Sequence, residues 1–113
     1  MKPAKQSKEL VAASSKPMVL SVLARGENYG YAILKDVERL SEGRLNWQEG
    51  MLYPVLHRLE KEGLITARWQ VANGRRRKYY ALTDNGQRAL SQERADWEAV
   101  SATLSNAWGS MVT

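Results

Sequence analysis

Cysteine is absent from this 113-residue chain, and histidine occurs once, as His57. These absences exclude disulfide bonds and thiolate metal sites, and we do not expect a histidine-based metal cluster. No apolar run approaches the ~18 residues of a membrane-spanning helix, and no secretory signal segment is visible. We therefore expect a cytoplasmic protein. The residues also offer no nucleophile–base pair and no phosphate-cradling loop, so we do not expect an enzyme.

Acidic residues are missing from one stretch, between Arg68 and Lys78, where positive charge is concentrated. The basic residues of this stretch are Arg68, Arg75, Arg76, Arg77 and Lys78. Their combined charge equals the net charge of the whole chain, which is +5. Such a local excess indicates a polyanionic partner, nucleic acid first and an anionic membrane second, whereas the alternative is a solvated charged surface.

The most informative segment covers residues 46–82 and begins with a helical pattern. Apolar residues recur at three- and four-residue steps and so share one face of a helix, namely Leu52, Val55, Leu56 and Leu59. The opposite face carries Gly50, Pro54, His57 and Lys61, flanked by Tyr53 and Arg58. Gly63 is expected to end this helix, because glycine tolerates the left-handed cap.

A β-rich hairpin is predicted after Gly63, with its turn at residues 72–74, because Asn-Gly supplies the positive φ that tight hairpin turns require. The turn is followed directly by Arg75, Arg76, Arg77 and Lys78. Tyr79 and Leu82 are expected in the core, whereas Tyr80 is expected either in the core or at the surface. A helix with a basic and aromatic outer face, followed by a hairpin with a basic tip, is typical of a winged helix that binds DNA.

Two earlier helices are predicted over residues 16–25 and 29–41, with Pro17 in the first turn of the former. Residues 44–45 are expected to form a very short strand beside the hairpin, and Asn46 with Glu49 has the pattern of a capping box. We therefore predict a mainly α chain with a small β hairpin. It comprises an N-terminal arm or helix extension (1–16), a winged helix-turn-helix DNA-binding domain (17–82) and a C-terminal dimerisation helix (83–113).

The last helix, expected over residues 87–108, carries a heptad spacing. The repeat positions are Leu90, Trp97, Leu104 and Met111, with Val100 and Ala107 on the neighbouring seam. This spacing indicates a partner helix, and a second copy is the simplest partner because a two-fold dimer doubles the DNA contacts. The alternative is a helix that folds back on its own core. The expected homodimer interface consists of Leu90, Trp97, Val100, Leu104, Ala107 and Trp108.

The start of the third helix is where base edges are usually met, so Gln48 and Met51 are expected to read bases. Gln can bond adenine and Met can touch a thymine methyl. The other outer-face side chains are expected to reach phosphates or base edges, although half-buried packing is the alternative for Tyr53 and His57. The wing cations are expected on phosphates, with one entering the minor groove. The full expected DNA-contacting set is Tyr31, Lys35, Gln48, Gly50, Met51, Tyr53, Pro54, His57, Arg58, Lys61, Arg75, Arg76, Arg77 and Lys78.

Two segments of the chain resemble the PadR family of transcriptional regulators. They are residues 50–65 (GMLYPVLHRLEKEGLI) and residues 74–83 (GRRRKYYALT) with Gly86 beyond, and Tyr29-Gly30-Tyr31 fits the same pattern. The resemblance implies a dimeric winged-helix repressor of phenolic-acid or multidrug response genes. Gln48 and Met51 replace the usual Ser and Thr of the family, so a different operator is expected.

The short last helix is similar to that of the smaller, multidrug-binding subgroup of the family. In that subgroup a tryptophan from each subunit sandwiches an aromatic drug at the dimer centre, and Trp97 matches its position. Plain interface packing is the alternative role for Trp97. Arg94 and Ser101 stand where the drug-binding pattern has aromatic and acidic residues. The expected ligand-binding set is Trp97, Arg94, Val100, Ser101 and Leu10.

Together these observations predict a sequence-specific DNA-binding transcriptional regulator that acts as a homodimer. We expect a repressor released by a small aromatic ligand at the dimer interface, with no cofactor, no metal and no membrane partner. The alternative is a helix-pairing protein–protein interaction module whose basic wing binds an acidic partner.

Overall fold

Residues 7–109 are described by a computed structural model, in which four helices and a three-stranded sheet follow one another. The elements are α1 (Lys8–Ala24), β1 (Asn28–Tyr29), α2 (Gly30–Leu40), α3 (Glu49–Lys61), β2 (Ile65–Ala72), β3 (Arg75–Leu82) and α4 (Asp84–Trp108). The order of α2, α3 and the β2–β3 hairpin is that of a helix-turn-helix followed by a wing.

The core lies where α1, α2 and α3 meet the sheet. From α1 it takes Val19, Leu20, Val22 and Leu23, so this helix is covered on more than one side. From α3 it takes the predicted stripe of Leu52, Val55, Leu56 and Leu59, all of which are buried. The helical periodicity read from the sequence is therefore confirmed, and the opposite face of α3 is left to solvent.

The sheet has the strand order β1-β3-β2, and both of its strand pairs are antiparallel. The hairpin turn falls on Asn73 and Gly74, whose φ angles are 53° and 74°. This confirms the turn that the Asn-Gly pair predicts. The strand expected at residues 44–45 is wrong, because Leu45 is buried in the core and its N–H donates to the Ser41 hydroxyl. The third strand is β1 instead.

The first helix extends back beyond residue 16, as in the helix-extension alternative expected for the N-terminal segment. It begins at Lys8, where the Ser7 hydroxyl accepts a hydrogen bond from the Leu10 N–H at 3.2 Å. Pro17 therefore lies in the helix interior, where its ring removes one backbone donor, and not in the first turn. The predicted boundary between residues 16 and 17 falls within α1, and residues 1–6 of the predicted arm lie outside the described residues.

The starts of α3 and α4 also differ from the predicted ones. The capping box is wrong, because Gln48 and not Asn46 precedes the first turn of α3, and its side chain makes no capping hydrogen bond. α4 begins at Asp84, three residues before the expected Gln87. The N-cap of α4 is Thr83, whose hydroxyl accepts a hydrogen bond from the Gly86 N–H at 3.0 Å.

α4 has two halves with different surroundings. Its N-terminal half packs against α1, and Leu90 lies against the core. Its C-terminal half exposes Val100, Leu104 and Trp108. The radius of gyration is 15.9 Å, whereas a compact chain of this length has about 13 Å. The excess agrees with a helix that projects from the core. Met111, the last expected repeat position, lies outside the described residues.

Candidate nucleic-acid interface

The outer face of α3 is exposed along its length, as its sequence pattern predicts. The exposed residues are Gln48 at the N-cap, then Gly50, Pro54, His57, Arg58 and Lys61. Small residues lie near the start of this face and the two cations near its end. Such a face allows close approach of a surface to the first turns of α3, with positive charge beside it.

Tyr53 lies at the edge of this face and makes a close contact with α2. Its side chain is 43% exposed, but its hydroxyl lies against Gly30, the first residue of α2. A Cβ placed on Gly30 would be 2.5 Å from that hydroxyl. Tyr53 therefore packs its hydroxyl against α2 while its ring stays partly open to solvent, and its contact with DNA stays a prediction.

Met51 points away from the outer face, which corrects its expected exposure for base contact. It is half-buried, packs against the core, and lines a groove of about 430 Å³ between α1 and α3. Lys8 and Arg58 lie at the same groove. Met51 directly precedes Leu52 and lies four residues before Val55, so it falls at the edge of the buried stripe and not on the outer face.

The start of α2 adds an aromatic and a cation to the same region. Tyr31 and Lys35 are both exposed, and the Lys35 ammonium lies 5.5 Å from the centre of the Tyr31 ring. They are four residues apart on one helix, which places them on one face. Both were predicted as DNA contacts, and the structure leaves both accessible.

The wing cations are not equivalent, because strand alternation sends them to two faces of the sheet. Arg77 shares a face with Tyr79, and its guanidinium carbon lies 4.4 Å from the centre of the Tyr29 ring. Tyr29 and Tyr79 are themselves paired in register and meet edge to face at 5.4 Å. Arg77 is therefore held against the junction of β1 and β3.

Arg76 and Lys78 lie on the other face, the one that includes buried Tyr80. Arg76 stacks on Trp69, with 4.4 Å from the guanidinium carbon to the ring centre. The Lys78 ammonium lies 3.9 Å from the carboxylate of Glu60 on α3. Lys78 therefore links the wing to the third helix, and its charge is partly neutralised within the protein, while its phosphate contact stays a prediction.

Arg68, counted with the basic stretch in the sequence, is also paired. Its guanidinium donates to the Glu27 carboxylate in a two-atom contact. Among residues 7–109, Arg75 and Arg76 of the wing and Arg58 and Lys61 of α3 make no ion pair. The positive charge that is left for an external partner is thus smaller than the sequence indicates. It is concentrated near the hairpin turn and on the outer face of α3.

The wing and the helix-turn-helix enclose an open groove of about 740 Å³. It is lined by Tyr29, Gly30, Tyr31, Tyr53, His57, Trp69, Arg75, Arg76, Arg77, Lys78 and Tyr80. Four of these, namely Tyr29, Gly30, Trp69 and Tyr80, are absent from the predicted DNA-contacting set. Period-two alternation along the hairpin, which sets Trp69 on one face with Ala67 and Val71, is a signal that indicates Trp69. Tyr29 had no such signal, because β1 has two residues.

Tyr80 is the buried tyrosine of the hairpin, whereas Tyr79 and Leu82, the expected core residues, are half-buried. Burial raises the pKa of Tyr80 above its ordinary value of 10.0, and the nearby Glu60 and Tyr53 act in the same direction. A protonated tyrosine therefore lines the groove beside the Lys78–Glu60 contact.

A second, smaller groove of about 370 Å³ lies between α1 and α4. It is lined by Pro17, Ser21, Leu90, Arg94, Trp97, Glu98 and Ser101. The predicted ligand residues Trp97, Arg94 and Ser101 meet here, but Val100 and Leu10 are exposed and do not line it. The Arg94 side chain also bonds to Glu98 at 3.4 Å. The predicted five-residue site is therefore only partly brought together.

Within residues 7–109, no cluster of three or more His, Cys, Asp or Glu side chains is placed to hold a metal ion. None of the helices in that range has the length and apolar character needed to cross a membrane.

Comparisons with known proteins agree with this geometry. The sequence model for the family described as "Transcriptional regulator PadR-like family" matches residues 19–92. The chain is 31% identical over 83 residues to "Transcriptional regulator YqjI" of Escherichia coli, covering 74% of this chain and 39% of that relative. It thus spans well under half the length of this relative.

Solved structures extend the likeness over more of the chain. A transcriptional regulator from Clostridium thermocellum has a TM-score of 0.82 at 28% identity, covering 89% of this chain and 96% of the other. A PadR family transcriptional regulator from Eggerthella lenta has a TM-score of 0.75 at 33% identity, covering 88% and 85%.

Proposed function

The chain belongs to the PadR-like family of transcriptional regulators, and from this premise we propose that it is a repressor that binds a specific operator as a homodimer. One observation carries the proposal. Tyr53 and His57 of the exposed face of α3 border the same groove as the wing cations Arg75 and Arg76, which make no ion pair among residues 7–109. Residues 17–82 form the DNA-binding unit in this proposal, and residues 83–113 form the dimerisation element.

In this proposal α3 enters the major groove with its N-terminal end foremost. Gln48 reads a base edge there, since its exposed amide can both donate and accept. Gly50 and Pro54 let the helix approach closely. Arg58 and Lys61 bind phosphate at the other end of the helix. Tyr53 and His57, the remaining predicted contacts of this helix, lie between the two ends. Met51 is left out, because it faces α1.

The wing holds the flanking DNA through the cations nearest the turn. Arg75 is exposed and unpaired among residues 7–109, so it suits a phosphate contact. Lys78 is assigned a different role, that of fixing the wing to α3 through Glu60. Tyr31 and Lys35 extend the phosphate-binding surface along the start of α2.

The dimer forms through α4. Trp97, Val100, Leu104 and Trp108 leave an apolar stripe exposed on this helix, and heptad spacing is what two pairing helices require. Leu90 has a smaller share in that interface than predicted, because it packs against its own core. A second copy joined here presents a second α3, which doubles the DNA contacts.

The effector in this proposal is a planar aromatic molecule that binds at Trp97, in the groove between α1 and α4. The groove is mainly apolar, opens to solvent, and lies next to the proposed dimer stripe. A ligand that favours one arrangement of the paired α4 helices would change the spacing of the two α3 helices. Binding of an aromatic cation such as ethidium to the protein without DNA, lost in Trp97→Ala but kept in Gln92→Ala, whose exposed side chain lies outside the groove, tests the ligand site.

The decisive experiment for DNA recognition is selection from a pool of random duplexes, followed by gel shifts of the selected and unselected DNA. We expect an inverted repeat, because two α3 helices face the DNA. Gln48→Ala should reduce the preference for the selected duplex by about 1–3 kcal/mol, whereas Arg44→Ala, a cation on a different surface, should not. Failure to enrich any sequence would contradict specific binding.

A further inference from the structure

Trp69 is a large apolar side chain that is left 55% exposed on the wing, and none of the contacts proposed above uses it. It lies on β2, in register with Lys78 of β3. Arg76 is two residues before Lys78, so it is a diagonal neighbour of Trp69 on the same face, within reach of an aromatic ring. The guanidinium carbon of Arg76 lies 4.4 Å from the centre of that ring, which is a cation–π distance.

The stack orients Arg76 without consuming its hydrogen-bonding capacity. A guanidinium stacks through its flat face, whereas its N–H donors point outward in its plane. Among residues 7–109, Arg76 makes no ion pair, unlike Lys78 on the same face, which lies 3.9 Å from the Glu60 carboxylate. The ring therefore favours one orientation of Arg76, and within residues 7–109 no side-chain hydrogen bond uses its N–H donors.

A fixed arginine near the tip of the wing suits one feature of DNA in particular. The minor groove of an A·T run is narrow and strongly negative, and it attracts arginine side chains. An arginine that already rests on a ring gives up less side-chain freedom when it enters such a groove. Arg76 is the second residue after the Asn73–Gly74 turn, so it lies near the tip of the hairpin.

We propose that Trp69 is a positioning residue, which holds Arg76 for entry into an A·T-rich minor groove beside the site that α3 reads. The proposal rests on the DNA-binding function proposed above and adds a specificity to it. Base preference then extends to flanking base pairs that α3 does not touch, and an aromatic ring of the protein, not a further charge, sets its strength.

The test uses two duplexes that share the selected core sequence and differ only in the flank, which is an A·T run in one and a G·C run in the other. The parent chain should prefer the A·T flank. Trp69→Leu keeps apolar bulk and removes the ring, so it should bind the A·T-flanked duplex about two- to five-fold more weakly, with no change on the G·C-flanked one. Trp69→Phe should restore most of the preference.

Arg76→Lys provides a second route to the same result, because it keeps the charge and removes the flat guanidinium. It should lose the flank preference as Trp69→Leu does. Val71→Ala is the matched control, since Val71 is 70% exposed and directly opposite Arg76 in register, and it should bind like the parent. Thermal melting of each variant shows whether the fold is retained.

The decisive comparison is the double variant Trp69→Leu/Arg76→Ala. It should bind no more weakly than Arg76→Ala alone, because the ring acts through the arginine. The positioning role would be overturned if the fold-losses of affinity from the two substitutions multiplied in the double variant. It would also be overturned if the flank preference survived Trp69→Leu. Either result would leave DNA binding itself in place. A parent chain that binds neither duplex would overturn the proposed function and this inference together.

Discussion

Gly86→Ala adds one methyl group at the point where the first turn of α4 crosses the chain that leaves α3. The new Cβ would lie 2.0 Å from the carbonyl oxygen of Leu64 and 2.8 Å from Cδ1 of Leu82. The Leu82 side chain can shift, but the Leu64 carbonyl is part of the backbone. It also accepts the N–H of Thr83 at 3.1 Å. The methyl group therefore forces apart two backbone segments that are joined by a hydrogen bond.

The expected cost follows from three contributions to the free energy of unfolding. Overpacking a well-packed site costs about 1–3 kcal/mol, and a buried hydrogen bond left unmade costs about 1–3 kcal/mol more. Alanine regains up to about 1 kcal/mol, because it is a better helix former than glycine. The net destabilisation should lie near 3 kcal/mol, which at about 4 °C per kcal/mol lowers the melting temperature by about 12 °C.

Thermal melting followed by circular dichroism measures this change, with the protein concentration held fixed because the proposed dimerisation would shift apparent stability. Gly50→Ala is the matched control. It is also a glycine in the first turn of a helix, but an added Cβ there meets nothing within 4 Å. We expect it to stabilise the chain by up to about 1 kcal/mol. If Gly86→Ala melted within about 2 °C of the parent, the close crossing of α4 and the Leu64 segment would be refuted.

Three further predictions concern charge, assembly and pH. Arg75→Gln should lower the slope of log affinity for duplex DNA against log salt by about 0.9, whereas Lys78→Gln should lower it less because Glu60 already neutralises Lys78; equal changes would contradict the two roles. Leu104→Glu places a carboxylate in the exposed α4 stripe, so sedimentation should show single chains that keep their helix content, and an unchanged dimer would place the interface elsewhere. Burial raises the pKa of Tyr80 in the folded chain above 10.0. Stability should therefore hold below pH 10 and fall as the pH rises, since the unfolded chain loses this proton first, and Tyr80→Phe should reduce the fall in alkaline urea titrations.

The sequence by itself determined those features that depend on local spacing and local backbone preference. The stripe from Leu52 to Leu59 repeats at helical spacing, so burial of that face of α3 followed directly. Asn73 and Gly74 are the residue types that adopt positive φ, so the hairpin turn was specified by two neighbours. The exposed basic face of α3 followed as the complement of its buried stripe.

Only the tertiary structure decided which residues meet across the fold. A two-residue strand has no periodicity, so the choice of Asn28–Tyr29 over residues 44–45 as the third strand depended on the chain's return to β3. The division of the wing cations was equally hidden, since it depends on Trp69, Tyr29 and Glu60, which lie on other elements. Charge and periodicity are properties of a segment, whereas an ion pair, a stacked ring or a close backbone crossing is a property of two segments placed together.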